Sequence, residues 1–173
     1  MPLNKEDMIL LDLGAECNNY HADISRTYPI TGKYSPLQKK IYTIVLECNK
    51  HIIEMIKPGV SIRDLQNETI NFLAEGCLKE GLIKDKEEIK NYYFHGVSHH
   101  IGLDTHDPYP RYSGTLVPGM ILSCEPGLYF EELGIGVRIE DDILITEDGN
   151  INLSEDIIKE IDDIENFMSQ YIK

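Results

Sequence analysis

Apolar positions fall at two periods along this chain, and the breaks between them mark its elements. Met8 to Leu13 (MILLDL) is an apolar run that predicts a buried strand, with Asp12 out of place in it. Cys17-Asn18-Asn19 supplies turn chemistry, since Asn tolerates the left-handed region, and Tyr20 to Tyr28 returns as a second strand of the hairpin. Ser35-Pro36 opens a helix whose stripe is Leu37, Ile41, Ile44, Val45, Cys48, Ile52 and Met55, closed by Pro58-Gly59. Ser61 and Asp64 predict the capping box of a second helix, running to about Glu80 with Leu65, Phe72, Leu73 and Cys77 inward. Lys84 to Asn91 reads as a short charged helix or loop. From His95 to Gly119, Gly, Pro and His predict irregular backbone. Met120 to Phe130 and Gly134 to Thr146 predict a second hairpin, and Ser154 a final helix with Ile157, Ile161, Ile164, Phe167 and Met168 facing in. The expected class is α+β, antiparallel β-ribbons covered by helices.

Composition narrows the setting. With 173 residues and 42% hydrophobic content, the chain suits one folded domain and is too apolar for a disordered one. No apolar run nears the ~20 residues that span a bilayer, so no membrane role is expected. Met1 to Asp7 is polar and unlike a secretory signal, and Cys17, Cys48, Cys77 and Cys124 form no C-x-x-C pair. Reduced thiols in a cytoplasm are the expectation. A net charge of −14 argues against nucleic acid as a partner. Most of the acidity is a solvated surface, dense around Lys84 to Lys90 and Glu155 to Glu165.

A few acids sit where solvation does not explain them. With the turn at Cys17-Asn18 or Asn18-Asn19, odd residues of the first hairpin oppose even ones. Asp12 and Asp23 then share one face, directly opposite or diagonally adjacent, about 5 or 7–8 Å apart. Carboxylates so placed repel, and need a shared proton, basic partners or a cation. Arg26 and His21 are the hairpin's only basic residues, so a metal is the stronger reading. In the second hairpin Glu125 falls opposite Glu140, with Arg138 on the same face to orient a carboxylate or bind substrate. Between the ribbons, four of the six histidines, His95, His99, His100 and His106, lie within twelve residues. Four carboxylates match the charge of two divalent cations, with one neutral imidazole completing the shell. That donor set suits manganese, or iron, cobalt or zinc. Two such ions about 3.5–4 Å apart hold a bridging hydroxide and polarise a carbonyl, which is hydrolytic chemistry.

These motifs also carry a resemblance. Asp12-Leu-Gly and Ala22-Asp23-Ile-Ser-Arg-Thr27 resemble the first metal-binding ribbon of the pita-bread metallopeptidases. The segment from His95 to Asp107 (HGVSHHIGLDTHD) resembles the histidine segment of aminopeptidase P, and Glu125-Pro-Gly-Leu-Tyr129 and Arg138-Ile-Glu140-Asp141 its last two ligand segments. The resemblance implies a pita-bread (creatinase/aminopeptidase-like) fold, with residues 1–173 as the C-terminal portion of its catalytic domain, incomplete at the N-terminus. It implies that Asp12, Asp23, His99, Glu125 and Glu140 hold two divalent ions, Asp23 and Glu140 bridging them. Glu125 would also move the proton of the attacking water. His106 would bind the scissile peptide, His95 would line the proline pocket, and Arg138 would support orientation. The implied reaction removes an N-terminal residue that precedes proline in a peptide; prolidase is the nearest alternative, and a non-catalytic relative of the same fold another. A homo-oligomer is compatible with all of these. His100, Asp104, His21, His51 and Tyr129 read as scaffold, surface or packing, and Cys124, where the family more often has valine, as core.

Overall fold

The computed structural model describes residues 2–108 and 114–172. Its first ribbon pairs β1 (Met8–Leu13) with β4 (Ile24–Pro29), and at its tip β2 (Glu16–Cys17) with β3 (Tyr20–His21), all antiparallel. The register is the same in both pieces, Asp12 opposite Ser25 and Glu16 opposite His21. Asn18 and Asn19 have φ of 52° and 68°, the left-handed pair that a two-residue hairpin turn of type I′ requires. The turn is therefore Asn18-Asn19, and Asp23 is the diagonal neighbour of Asp12 on one face. The ladder opens where the ribbon passes Gly14, and the Ala22 carbonyl comes so near that only glycine fits: a Cβ there would lie 2.2 Å from its oxygen.

Helix α1 (Pro36–Met55) starts with a complete capping box: Gln38 N donates to Ser35 Oγ and Ser35 N to Gln38 Oε1. Its stripe packs as expected, with Ile41, Val45, Cys48 and Ile52 fully buried. In α2 (Ile62–Lys79) Ser61 accepts from Asp64 N, but the Asp64 carboxylate takes the Ser61 hydroxyl. Leu65, Leu73 and Cys77 are buried, while Phe72 is half-exposed and stacks on His51. Close approach of the two helices needs Gly76, where a Cβ would meet Ile44 Cγ2 at 2.8 Å. The charged stretch that follows forms a 3-10 turn, Lys86–Asn91. Among the described residues no helix is long and apolar enough to cross a membrane.

The second ribbon is split like the first. β5 (Ile121–Cys124) pairs with β8 (Asp141–Ile145), and β6 (Gly127–Phe130) with β7 (Ile135–Arg138), in one continuous register. One face carries Leu122, Cys124, Leu128, Val137, Ile139 and Ile143, all fully buried in the core with α1. Each Leu, Val or Ile among them is worth ~1.5–3 kcal/mol of burial. The other face is left for chemistry. A polar strand that apolar patterning does not register, β9 (Asn150–Asn152), extends β8. Its Asn150 side chain donates to the Ile53 and Ile56 carbonyls at the end of α1.

Three expectations need correction. β1, expected to be buried, is only half-buried over its first three residues and exposed over the rest, with Leu11 and Leu13 facing solvent. The last helix, α3, is Ile161–Ser169, not opened by Ser154, whose hydroxyl instead accepts from Asp142 N at 2.9 Å. Ile164 is buried there, but Ile157 and Phe167 are exposed. Residues 97–101, read as irregular, run antiparallel to β5, with Ser123 N donating to His99 O and Glu125 N to Val97 O, both at 2.9 Å. The expected irregular stretch also covers residues 109–113, which lie outside the described residues.

Arg26 ties the ribbons together. It faces away from Asp12, pairs with the buried Asp141 at 2.7 Å, and donates to the carbonyls of Ser25, Glu140, Ile157 and Ile158. Lys159 reaches the second Asp141 oxygen at 2.5 Å.

Candidate metal centre

Pleat and register bring the two acid pairs together. Asp12 and Asp23 project from the first ribbon, and Glu125 and Glu140 from opposed positions where the second ladder opens around Pro126 and Ile139. Pro126 has no N–H to give the ladder, which explains the opening. The segment along β5 adds His99, and the loop after it adds His106. Three overlapping groups have ligand-capable atoms within 4.8 Å of one another: Asp12-Asp23-Glu140, His99-Glu125-Glu140 and Asp23-His99-His106. His99 Nε2 lies 3.4 Å from Asp23, 3.5 Å from Glu125 and 3.8 Å from Glu140. All five expected metal ligands are brought into one cluster.

The electrostatics of that cluster are those of crowded acids. Glu140 is 2% exposed, and its pKa is pushed up to about 8 by burial, then by repulsion from Glu125 and Asp23. Burial likewise pushes Glu125 up to about 7, with Asp23 and Asp12 adding repulsion. Asp23 is raised by burial and by Asp12. Glu140 Oε2 accepts from the Ser25 hydroxyl at 2.7 Å, while Oε1 is buried and makes no hydrogen bond among the described residues. An orphaned carboxylate oxygen aimed at three further acids and two imidazoles fits a divalent cation. With no thiolate among them, the donors favour hard or borderline ions.

Neighbours hold these donors in place. Ser123 Oγ accepts from His99 N at 3.0 Å and donates to Glu125 at 3.4 Å. The Asp142 carboxylate, pushed up to about 6 by burial, accepts from Asp23 N at 3.2 Å. Arg138 pairs with Asp12, donates through Nε to Ser25 Oγ at 2.9 Å and through NH1 to Tyr129 at 3.3 Å. Tyr129 does more than pack, since its hydroxyl also meets His95 Nε2 at 2.9 Å. Burial lowers the His95 pKa, keeping that ring neutral. His106 is exposed and stands edge-on to His99, ring centroids 4.4 Å apart. Its loop turns at Gly102, where a Cβ would lie 2.3 Å from Asp107 Oδ2. Ser25, Ser123 and Asp142 escaped the reading of the sequence. A usable signal existed for the serines, each two residues from a candidate ligand and so on its face of the strand. His100 serves the scaffold as expected, bridging to Leu122, and Cys124 packs in the core.

The profile of Metallopeptidase family M24 matches residues 1–147. The chain belongs to this family. The Xaa-Pro aminopeptidase of Haemophilus influenzae is 39% identical over 186 residues, covering 97% of this chain and 43% of that protein. That of Escherichia coli is 40% identical over 180 residues, covering 94% of this chain and 41% of its own length. The chain thus spans less than half of either relative. Among solved structures, a Bacillus anthracis chain provisionally assigned as aminopeptidase P superposes with a TM-score of 0.96 at 50% identity, over 98% of this chain and 41% of that one. Zinc-substituted E. coli aminopeptidase P in complex with product superposes at 0.93 and 38% identity, over 100% and 43%. The fold of this M24 chain is the pita-bread fold, α+β, with ribbons covered by helices as the sequence led us to expect.

Proposed function

We propose that this chain carries the dinuclear metal site of an aminopeptidase P and removes an N-terminal residue preceding proline from peptides. The observation that carries the reading is the pair of three-donor groups, Asp12-Asp23-Glu140 and His99-Glu125-Glu140, meeting at Glu140. Two divalent ions would be held there, Asp23 and Glu140 reaching both, Asp12 one, and His99 with Glu125 the other. Manganese is the proposed metal, with cobalt, iron and zinc fitting the same donors. Such ions acidify water and polarise a carbonyl.

The chain's own residues supply the rest. Glu125, with its raised proton affinity, takes a proton from water and passes it to the leaving amine. His106, exposed at the rim of the cluster, hydrogen-bonds the scissile peptide. Neutral His95, fixed by Tyr129, lines the pocket for proline. The tertiary Xaa-Pro amide offers no N–H, so shape and the flanking groups must recognise it. Arg138 holds Asp12 and Ser25, and through Ser25 the second oxygen of Glu140. The four cysteines are unpaired, which supports a cytoplasmic setting.

Calorimetric titration of the metal-free chain with manganese tests the site: near two ions per chain are expected, both lost in Asp23→Ala. Release of the first residue from an Xaa-Pro-Gly tripeptide, set against an Xaa-Pro dipeptide, tests the reaction and separates it from prolidase. A folded chain that binds no manganese would overturn the reading.

A further inference from the structure

The site face of the second ribbon does not end at the metal cluster. Register places Gly127 opposite Arg138 and Tyr129 opposite Gly136, so beyond Glu125 and Glu140 this face is built from two glycines, Arg138 and Tyr129. A Cβ at Gly127 would lie 2.6 Å from Tyr129 Oη, and one at Gly136 would lie 3.2 Å from Tyr129 Cδ1. The ring therefore lies along the ribbon, hydroxyl toward His95 and Arg138. Beside it lies a cavity of about 560 Å³, lined by Tyr129, Phe94, Gly136, Glu131 and Glu132. Phe94 is 69% exposed, its ring 5.2 Å from Tyr129 and 6.4 Å from His95. Tyr92 lines the same cavity.

We propose that this trough takes the peptide downstream of the cleaved bond and selects a cationic side chain there. The inference rests on the peptidase reading above and adds a substrate preference to it. An extended peptide advances about 3.3 Å per residue, the same rise as the ribbon beneath it. Tyr129 stands four residues beyond Glu125, so the residues following proline run over the Phe94–Tyr129 pair, and the next ones meet Glu131 and Glu132. Two aromatic faces followed by two carboxylates match a guanidinium or ammonium on an apolar stem. The net charge of −14 steers such peptides inward.

The test uses the manganese-loaded chain and three substrates: Ala-Pro-Gly, Ala-Pro-Gly-Arg-Arg-amide and Ala-Pro-Gly-Glu-Glu-amide. Alanine release should give the arginine peptide a roughly three- to tenfold advantage in kcat/KM over the glutamate peptide, the scale of two exposed charge pairs. About 1 M salt should erase it. Glu131→Lys combined with Glu132→Lys should reverse the preference and leave Ala-Pro-Gly turnover unchanged. Equal turnover of the two charged peptides, with Ala-Pro-Gly cleaved, overturns the trough and leaves the peptidase reading standing. Where no peptide is cleaved, calorimetric binding of Pro-Gly-Arg-Arg-amide against Pro-Gly-Glu-Glu-amide decides. A preference that reverses in the double variant upholds the trough while the activity reading falls, and equal binding overturns both.

Discussion

The crowding of acids at the centre makes the metal-free chain less stable as pH rises toward 8, which is opposite to the usual behaviour of paired carboxylates. In the folded chain Glu140 keeps its proton up to about pH 8 and Glu125 up to about 7, whereas both ionise near 4.5 once exposed. Between those values the folded state binds more protons than the unfolded state, so stability falls with rising pH. The groups with the opposite sign, His95 and His100, are lowered from 6.5 and act only below it. Asp142, raised to about 6, also acts below the window. Between pH 6.5 and 8 the slope is carried by Glu125 and Glu140, and Asp23, also raised, acts in the same direction. One proton's difference is worth ~1.4 kcal/mol per pH unit, and an excess averaging a little over one proton gives a loss of roughly 2–2.5 kcal/mol across the window. At ~2–4 °C per kcal/mol for a chain of this size, Tm should drop by about 4–10 °C. Scanning calorimetry of the chelator-treated chain at intervals from pH 6.5 to 8 measures it. Glu140→Gln, which has nothing to ionise, should remove most of the fall above pH 7. Added manganese should invert the slope, because the ion competes with those protons and binds the ionised form. A metal-free Tm that is flat or rises through the window would refute the picture of protonated, converging carboxylates.

Ser25→Ala removes the hydroxyl between Glu140 and Arg138 and should weaken manganese binding by ~10–100-fold with the fold intact, as read by calorimetry and circular dichroism. Gly14→Ala forces a Cβ against the Ala22 carbonyl, so a loss of ~1–3 kcal/mol is expected in urea unfolding, with weaker metal binding alongside because Asp12 and Asp23 flank the strained rung. Arg26→Met leaves Asp141 with Lys159 as its charged partner, and unfolding should show a loss of ~3 kcal/mol or more, smaller if Asp141→Leu is made with it.

The acid pairs were legible in the sequence because a ribbon has few degrees of freedom. Once a tight turn fixes which residues oppose, parity alone decides which side chains share a face, and a face error would have moved every one of them. That is why Asp12 with Asp23, and Glu125 with Glu140, could be paired from spacing. The helices were legible through their stripes and their caps. What spacing could not give is the opening of both ladders at the candidate ligands, because Gly14 and Pro126 act through a carbonyl that comes too near and an N–H that is missing. The start of the last helix was missed for a related reason. Ser154 has the chemistry of a cap, but its hydroxyl is committed to Asp142, a partner twelve residues away in sequence. The role of Tyr129 was missed because a tyrosine on an apolar ribbon carries no mark of where its hydroxyl ends.

Strand β4 shows how the fold and the site depend on one another. Its alternate residues face opposite ways: Ser25 turns its hydroxyl to Glu140 and Arg138, while Arg26 turns its guanidinium to Asp141 and to four carbonyls behind the sheet. The same strand pair thus positions the candidate ligands on one face and locks the ribbons on the other, and Glu140 N donating to Ser25 O at 3.0 Å is the seam between them. A shift of either ribbon by one residue would break the Arg26–Asp141 pair and scatter the carboxylates at once. The repulsion among those carboxylates therefore cannot relax by sliding the ribbons apart without breaking a buried ion pair, which costs ~3–5 kcal/mol. Protons or a cation must relieve it instead, and this constraint is what makes the cluster a receptive site for metal.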